Sequence, residues 1–302
     1  MLTPGGGLSY RSANLPAMRG EAAGSRRIPA ILPLRATTTG ESLDGAVALL
    51  RQRALPLLVA AAILAAGEQW LLTLVGAAED LPAVYDWTQA DFDVWWPSIA
   101  TGLALEVGII ALLGAFAGAA AGPALLGRVM SHREVLRRSR PGRALLIAVL
   151  LTAVAWPAAY AGLVGFVLLY GLFGLATVIL TMDRVGNPVT ALIRSARLSG
   201  RGLRVARIRI LGFLVWLGIR FALGVGWMAV AGLILGFSRP SWLGWAATFA
   251  WTLANTVAYA ALACLDAVLL VEARIRTEGL DIALNRSRSR GEDEAATLVV
   301  AR

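Results

Sequence analysis

Residues 144–182 form a run of 39 residues without one charged side chain. At 1.5 Å per residue, a single straight helix of that length reaches about 58 Å, against a bilayer hydrocarbon core of about 30 Å. The run must therefore fold back on itself. Trp156-Pro157 and the stretch from Gly162 to Gly165 are the natural breaking points. This gives one span at about 144–162 and another at about 165–182.

Four further apolar blocks have spanning length: 54–76, 98–126, 210–236 and 242–271. The expected fold class is all-α, a polytopic helical membrane protein with six transmembrane helices. Composition agrees: 58% of the chain is hydrophobic, against roughly 45–50% for soluble domains. The first strongly apolar run begins near Ala54, too far in and too long for a signal peptide, and reads as the first anchor.

Charge placement orients these spans. The net charge is +9, and every basic residue except His132 is Arg. Arg concentrates in the N-terminal tail, in 127–143, in 183–209 and in the C-terminal tail. The 77–97 loop instead holds Glu79, Asp80, Asp86, Asp91 and Asp93 and no Arg. By the positive-inside rule, both termini are expected in the cytoplasm. Trp70, Trp87, Trp95, Trp96, Trp156, Trp227, Trp242 and Trp245 fall at the opposite ends of their segments, as an interfacial belt does. Lys-free, Ala-, Gly- and Leu-rich usage points to a GC-rich bacterial genome, so the expected location is a bacterial plasma membrane.

The flanks are expected to hug the inner leaflet. Residues 1–35 read as a disordered tail. Thr38 and Glu41 have capping-box spacing and open an amphipathic interfacial helix over 36–53, with Leu43, Val47 and Leu50 on one face. Asn187-Pro188 opens a second, with Leu192, Ala196 and Leu198 on one side. Arg51, Arg53, Arg194, Arg197 and Arg201 are the expected contacts with anionic headgroups. Residues 276–302 read as a charged cytoplasmic tail. The Arg clusters lack interleaved aromatics, so nucleic acid is not an expected partner.

Ionisable groups inside spans cost roughly 2.5–3.5 kcal/mol each on insertion scales, so each needs a reason. Glu68, Glu106, Arg220 and Asp266 are the four. Glu68 and Glu106 both belong to the outer half; as neighbours they would share a proton, since two close carboxylates do not both ionise cheaply. They are either a proton or cation site or neutral groups used in helix packing. Arg220 is expected to pair with Asp266 or to stack on Trp216. Thr248, Thr252, Asn255, Tyr259 and Asp266 share one face of the last span, as a polar stripe facing other helices or a water-filled path. Gly114, Gly118 and Gly122 repeat every fourth residue and let helices approach closely, as do Gly232 and Gly236.

No catalytic or cofactor set is visible. A phosphate-loop Lys cannot exist in a chain without Lys, and the single His132 sits among arginines. One cysteine, Cys264, and one histidine leave no expected metal site.

Three stretches resemble a family of actinobacterial multi-pass membrane proteins, described as glycerophosphoryl diester phosphodiesterase membrane-domain-like. The first runs from Leu32-Pro33-Leu34-Arg35 through Gly40-Glu41-Ser42-Leu43-Asp44 to Leu49-Leu50-Arg51. The second is Asn187-Pro188, then Ala191-Leu192-Ile193-Arg194-Ser195-Ala196-Arg197-Leu198 and Gly200-Arg201, where Ile193 and Ala196 replace the usual Arg and Trp. The third is Arg274-Ile275-Arg276-Thr277-Glu278-Gly279-Leu280-Asp281. The resemblance covers roughly residues 32–285 and implies six helices. The phosphodiesterase of that label is a separate barrel domain with a catalytic His pair and metal-binding carboxylates, which nothing here matches. The expected role is a non-catalytic structural or partner-binding component of the cell envelope, with a protein partner or a second copy. The alternative is a transporter or channel subunit using Glu68, Glu106 and the polar stripe.

Overall fold

A computed structural model describes Arg35 and residues 37–78, 92–128, 130–235 and 242–299. The expected 1–35 tail, apart from Arg35, and most of the acidic 77–97 loop lie outside the described residues. These residues form twelve helices and no strand. Six spans are long and apolar enough to cross a membrane, so the chain has the architecture of a multi-pass helical membrane protein.

The spanning helices are α2 (Ala54–Ala78), α3 (Phe92–Leu125), α5 (Pro141–Tyr160), the pair α6 (Leu163–Phe173) and α7 (Ala176–Met182), α9 (Arg204–Leu235) and α10 (Trp242–Glu278). The long uncharged run turns at Gly162, whose φ of +133° is open only to glycine. A second break, at Gly174, divides the fourth span and has no counterpart among the sequence-based expectations.

Helix α10 is the axis of the bundle. It is buried almost continuously from Asn255 to Ile275 and packs on α1 (Thr39–Gln52), α2, α3 and α9. Helix α3 lies beside it and packs on α5 and α7. Small residues permit this closeness. A Cβ on Gly118 would stand 3.0 Å from the Val178 backbone, and Gly114 faces Thr177. The Gly114, Gly118, Gly122 row is therefore the seam between α3 and α7, with Gly122 facing Leu298. Gly232 has open space before it, and Gly236 lies outside the described residues.

The chain returns to one end of the bundle at both limits of the described residues. The Thr37 carbonyl accepts from Arg204 and Arg276, and the Leu298 carbonyl from Arg274. This end carries the Arg-rich segments. Trp70, Trp156, Trp227, Trp242 and Trp245 are exposed. The Trp156 indole donates to Thr101 of α3 at 3.1 Å. Trp87 and the Trp95 side chain lie outside the described residues.

Helix α1 opens with the expected capping box. Glu41 N–H donates to the Thr38 hydroxyl and Thr38 N–H to the Glu41 carboxylate. The latter bond holds this exposed carboxyl below its ordinary range. Its contribution is present above the ordinary carboxylate pKa and is lost as pH falls through the lowered one. Helix α1 also packs on the bundle. Its buried face is Ser42, Gly45, Ala46 and Leu49, set against α10. Leu43 and Val47 remain exposed. A small-residue face docks on protein, and the larger apolar side chains Leu43 and Val47 face outward.

Helix α8 (Pro188–Gly200) starts where expected, with the Asn187 side chain accepting from Val189 N–H. One face packs inward: Ala191, Ser195 and Leu198 are buried, and Ser195 donates to the Leu172 carbonyl, while Val189, Ile193 and Arg197 are exposed. The C-terminal tail is folded too. Helices α11 (Leu280–Arg290) and α12 (Glu294–Thr297) bring Leu298 back onto Gly122 of α3.

Candidate functional site: an ion-pair ladder inside the bundle

Helices α9 and α10 run antiparallel. On each, polar residues stand eleven apart, which is about three turns and returns to the same face. Arg209 and Arg220 on α9 therefore meet Asp266 and Asn255 on α10 at two levels.

At the first level, Arg209 grips Asp266 through both carboxylate oxygens, at 2.5 and 3.0 Å. Both side chains are essentially inaccessible. The guanidinium lies 3.9 Å above the Tyr170 ring and against Gly174, where a Cβ would overlap it. The break in the fourth span makes room for this group.

At the second level, Arg220 holds Glu106 of α3 through both oxygens and also donates to the Asn255 carbonyl oxygen at 3.1 Å. Asn255 reaches Glu68 of α2 at 3.5 Å, and the Tyr259 hydroxyl donates to Glu68 at 2.7 Å. Four helices are thus tied together by Glu68, Glu106, Arg220, Asn255 and Tyr259, all buried.

These contacts correct the expected Arg220–Asp266 pair. Arg220 stands level with Asn255, eleven residues from Asp266 on α10, so at 1.5 Å per residue Arg220 and Asp266 differ in depth by about 16 Å. Arg209 lies at the depth of Asp266 and takes it. Arg209 was not among the expected site residues because it stands at the edge of an Arg-rich segment; matching depths on neighbouring helices is the signal that picks it out. Nor does Arg220 stack on Trp216: the rings over it are Phe213 and Tyr259, at 5.8 and 5.7 Å.

The expected polar stripe divides. Thr248 and Thr252 donate to carbonyls of their own helix, at Gly244 and Thr248. Only Asn255, Tyr259 and Asp266 reach other helices. Between α9 and α10 a crevice of about 30 Å3, lined by Gly224, Trp227 and Trp251, ends on Arg220. That is room for water and not for a larger solute.

A second network ties the Arg-rich end together. Glu272, 3% exposed, accepts from Ser42, Arg204 and Arg276. Asp183 accepts from Arg194 and Arg274, each at 2.8 Å. Burial pushes the Asp183 carboxyl above its ordinary range, against the pull of those two arginines. Two expected headgroup contacts are corrected here. Arg194 bonds Asp183 and Glu278, and Arg53 is buried on the Met130 carbonyl. Both satisfy internal acceptors. Arg51, Arg197 and Arg201 are exposed.

Glu272 carries a prediction. Glu272→Gln weakens the hold on two arginines and on Ser42, so α1 detaches first. Limited proteolysis of the purified protein then cuts within 39–52 at least several-fold faster than in the parent chain. Equal cleavage rates would show that α1 is held by its apolar contacts alone.

Among the described residues no three His, Cys, Asp or Glu side chains stand together as metal ligands, and Cys264 is a buried free thiol. No family model, curated protein or solved structure matches this chain.

Proposed function

We propose that this chain is a non-catalytic component of a bacterial plasma membrane, a helical platform with both termini in the cytoplasm. The observation that supports this reading is that Arg209–Asp266 and Arg220–Glu106 are matched bidentate pairs, each closing on groups of neighbouring helices. Polar side chains so engaged lock the bundle and leave its cytoplasmic end to act. There, Arg51, Arg197 and Arg201 face anionic headgroups, beside the exposed apolar residues Leu43, Val47, Val189 and Ile193. A protein partner or a second copy completes the assembly. The three sequence motifs support kinship with the actinobacterial membrane family they resemble.

A second reading, a proton- or cation-conducting subunit, draws on one observation. Arg220 pairs with Glu106 and is linked to Glu68 only through Asn255, so the second level of the ladder holds one carboxylate more than its cations.

Reconstitution in liposomes separates the two. With an imposed pH gradient and an enclosed pH dye, the platform reading expects flux equal to that of empty vesicles. Flux several-fold above that background, abolished by Glu68→Gln, would replace it with the conducting subunit.

A further inference from the structure

At the Arg-rich end, α3, α4 (His132–Arg138), α7 and the folded-back tail enclose a pocket of about 240 Å3. Its chemistry is divided. Gly122, Leu126 and Met182 supply an apolar wall where α3 and α7 leave the membrane span. Arg128, Arg138 and Arg184 supply a basic rim.

The rim is only partly neutralised from within. Arg138 bonds Glu134 at 3.0 Å, the one acid lining the pocket. Arg128 comes no closer than 3.8 Å to Asp293, and both side chains are more than half exposed, where such a pair contributes little. Arg184 makes no ion pair among the described residues. Its backbone takes a left-handed φ of 55°, unfavourable for arginine, at the bend between α7 and α8. The acids elsewhere at this end are differently arranged: Asp183, Glu272 and Glu278 each hold two arginines. Glu134 offsets one of the three rim arginines, and Arg128 and Arg184 leave a positive excess around one hollow whose wall suits hydrocarbon.

We propose that this pocket binds a phosphate-bearing amphiphile, its anionic head on Arg128, Arg138 and Arg184 and its apolar part along Gly122, Leu126 and Met182. Planar guanidinium groups match phosphate oxygens in pairs, and a basic pocket between helix ends is where an anionic headgroup is held. Leu298 forms the far wall, and the Arg274 bond to its carbonyl fixes the tail in place. This site is independent of the platform reading, since a conducting subunit could carry it equally well.

The test uses the full chain in detergent micelles, following thermal unfolding as phosphatidylglycerol, phosphatidylcholine or inorganic phosphate is added. Phosphatidylglycerol is expected to raise the midpoint saturably, and phosphatidylcholine not. In R128Q/R184Q the half-saturating concentration rises about tenfold, as loss of charge-assisted bonds implies. R207Q/R286Q removes the same charge from exposed arginines that do not line the pocket and is expected to leave the half-saturation unchanged. Equal responses to both lipids, or equal losses in both double variants, would overturn the site. If inorganic phosphate alone reproduced the whole shift, with the same loss in R128Q/R184Q, the ligand would be a soluble phosphate ester and the lipid assignment would fall. R184Q alone, at one exposed position, gives the intermediate loss and guards against a folding defect in the double variant.

Discussion

Arg220→Gln lowers stability by about 3–5 kcal/mol, whereas Glu68→Gln costs less than about 1 kcal/mol or is stabilising. The asymmetry comes from counting charges. Removing Arg220 strands Glu106 beside Glu68, two buried carboxylates with no cation. Removing the charge of Glu68 instead leaves Arg220 and Glu106 matched. The amide that replaces the Glu68 carboxylate can still accept from the Tyr259 hydroxyl and meet Asn255. Glu106→Gln keeps the charges matched in number but takes from Arg220 its direct partner, with Glu68 reached only through Asn255, so its loss should fall between those of Glu68→Gln and Arg220→Gln. Reversible unfolding in mixed micelles measures all three. A Glu68→Gln loss as large as that of Arg220→Gln would mean that Glu68 carries a needed charge, and the Arg220–Glu106 pairing would be wrong. Arg220→Gln combined with Glu106→Gln should recover part of the loss, since the two act as one unit.

The second large effect is expected at a residue with no side chain of its own. Gly174→Ala should destabilise by about 3 kcal/mol, although it adds a single methyl group. The new Cβ falls on the Arg209 guanidinium. A flexible arginine would ordinarily move aside. This one is pinned by both oxygens of Asp266 and covered by Tyr170. Moving it breaks a buried pair, so Gly174→Ala should approach the cost of Asp266→Asn. The double replacement Arg209→Met, Asp266→Leu should recover most of that loss, because hydrophobic groups of similar volume replace a buried pair at little cost. In that background Gly174→Ala should be nearly neutral. A Gly174→Ala penalty that persists there would place its cause in the break of the fourth span rather than in Arg209.

Much of this was legible in the residues. Span number follows from length and hydrophobicity, which need no partner: 39 uncharged residues cannot form one span. Both amphipathic helices begin at their capping residues, Thr38 and Asn187, because a cap is a local bond. The four intramembrane charges expected from sequence all lie in the two-level ladder. Periodicity alone placed Asn255, Tyr259 and Asp266 on one face.

What the residues left open was partnership. Any of three carboxylates could have met Arg220, and the face of a helix says only that something polar lies opposite. The choice came from depth and from the antiparallel setting of α9 on α10, which aligned Arg209 with Asp266 and Arg220 with Asn255. The same holds for Arg53 and Arg194, exposed by sequence logic and internal in the fold, because a basic residue near a helix end can reach either lipid or a buried acceptor. A six-span helical protein was determined by the chain alone, since the bilayer sets that requirement residue by residue. Which charge neutralises which was decided by tertiary structure, because an ion pair depends on where two helices cross, and no local pattern records that.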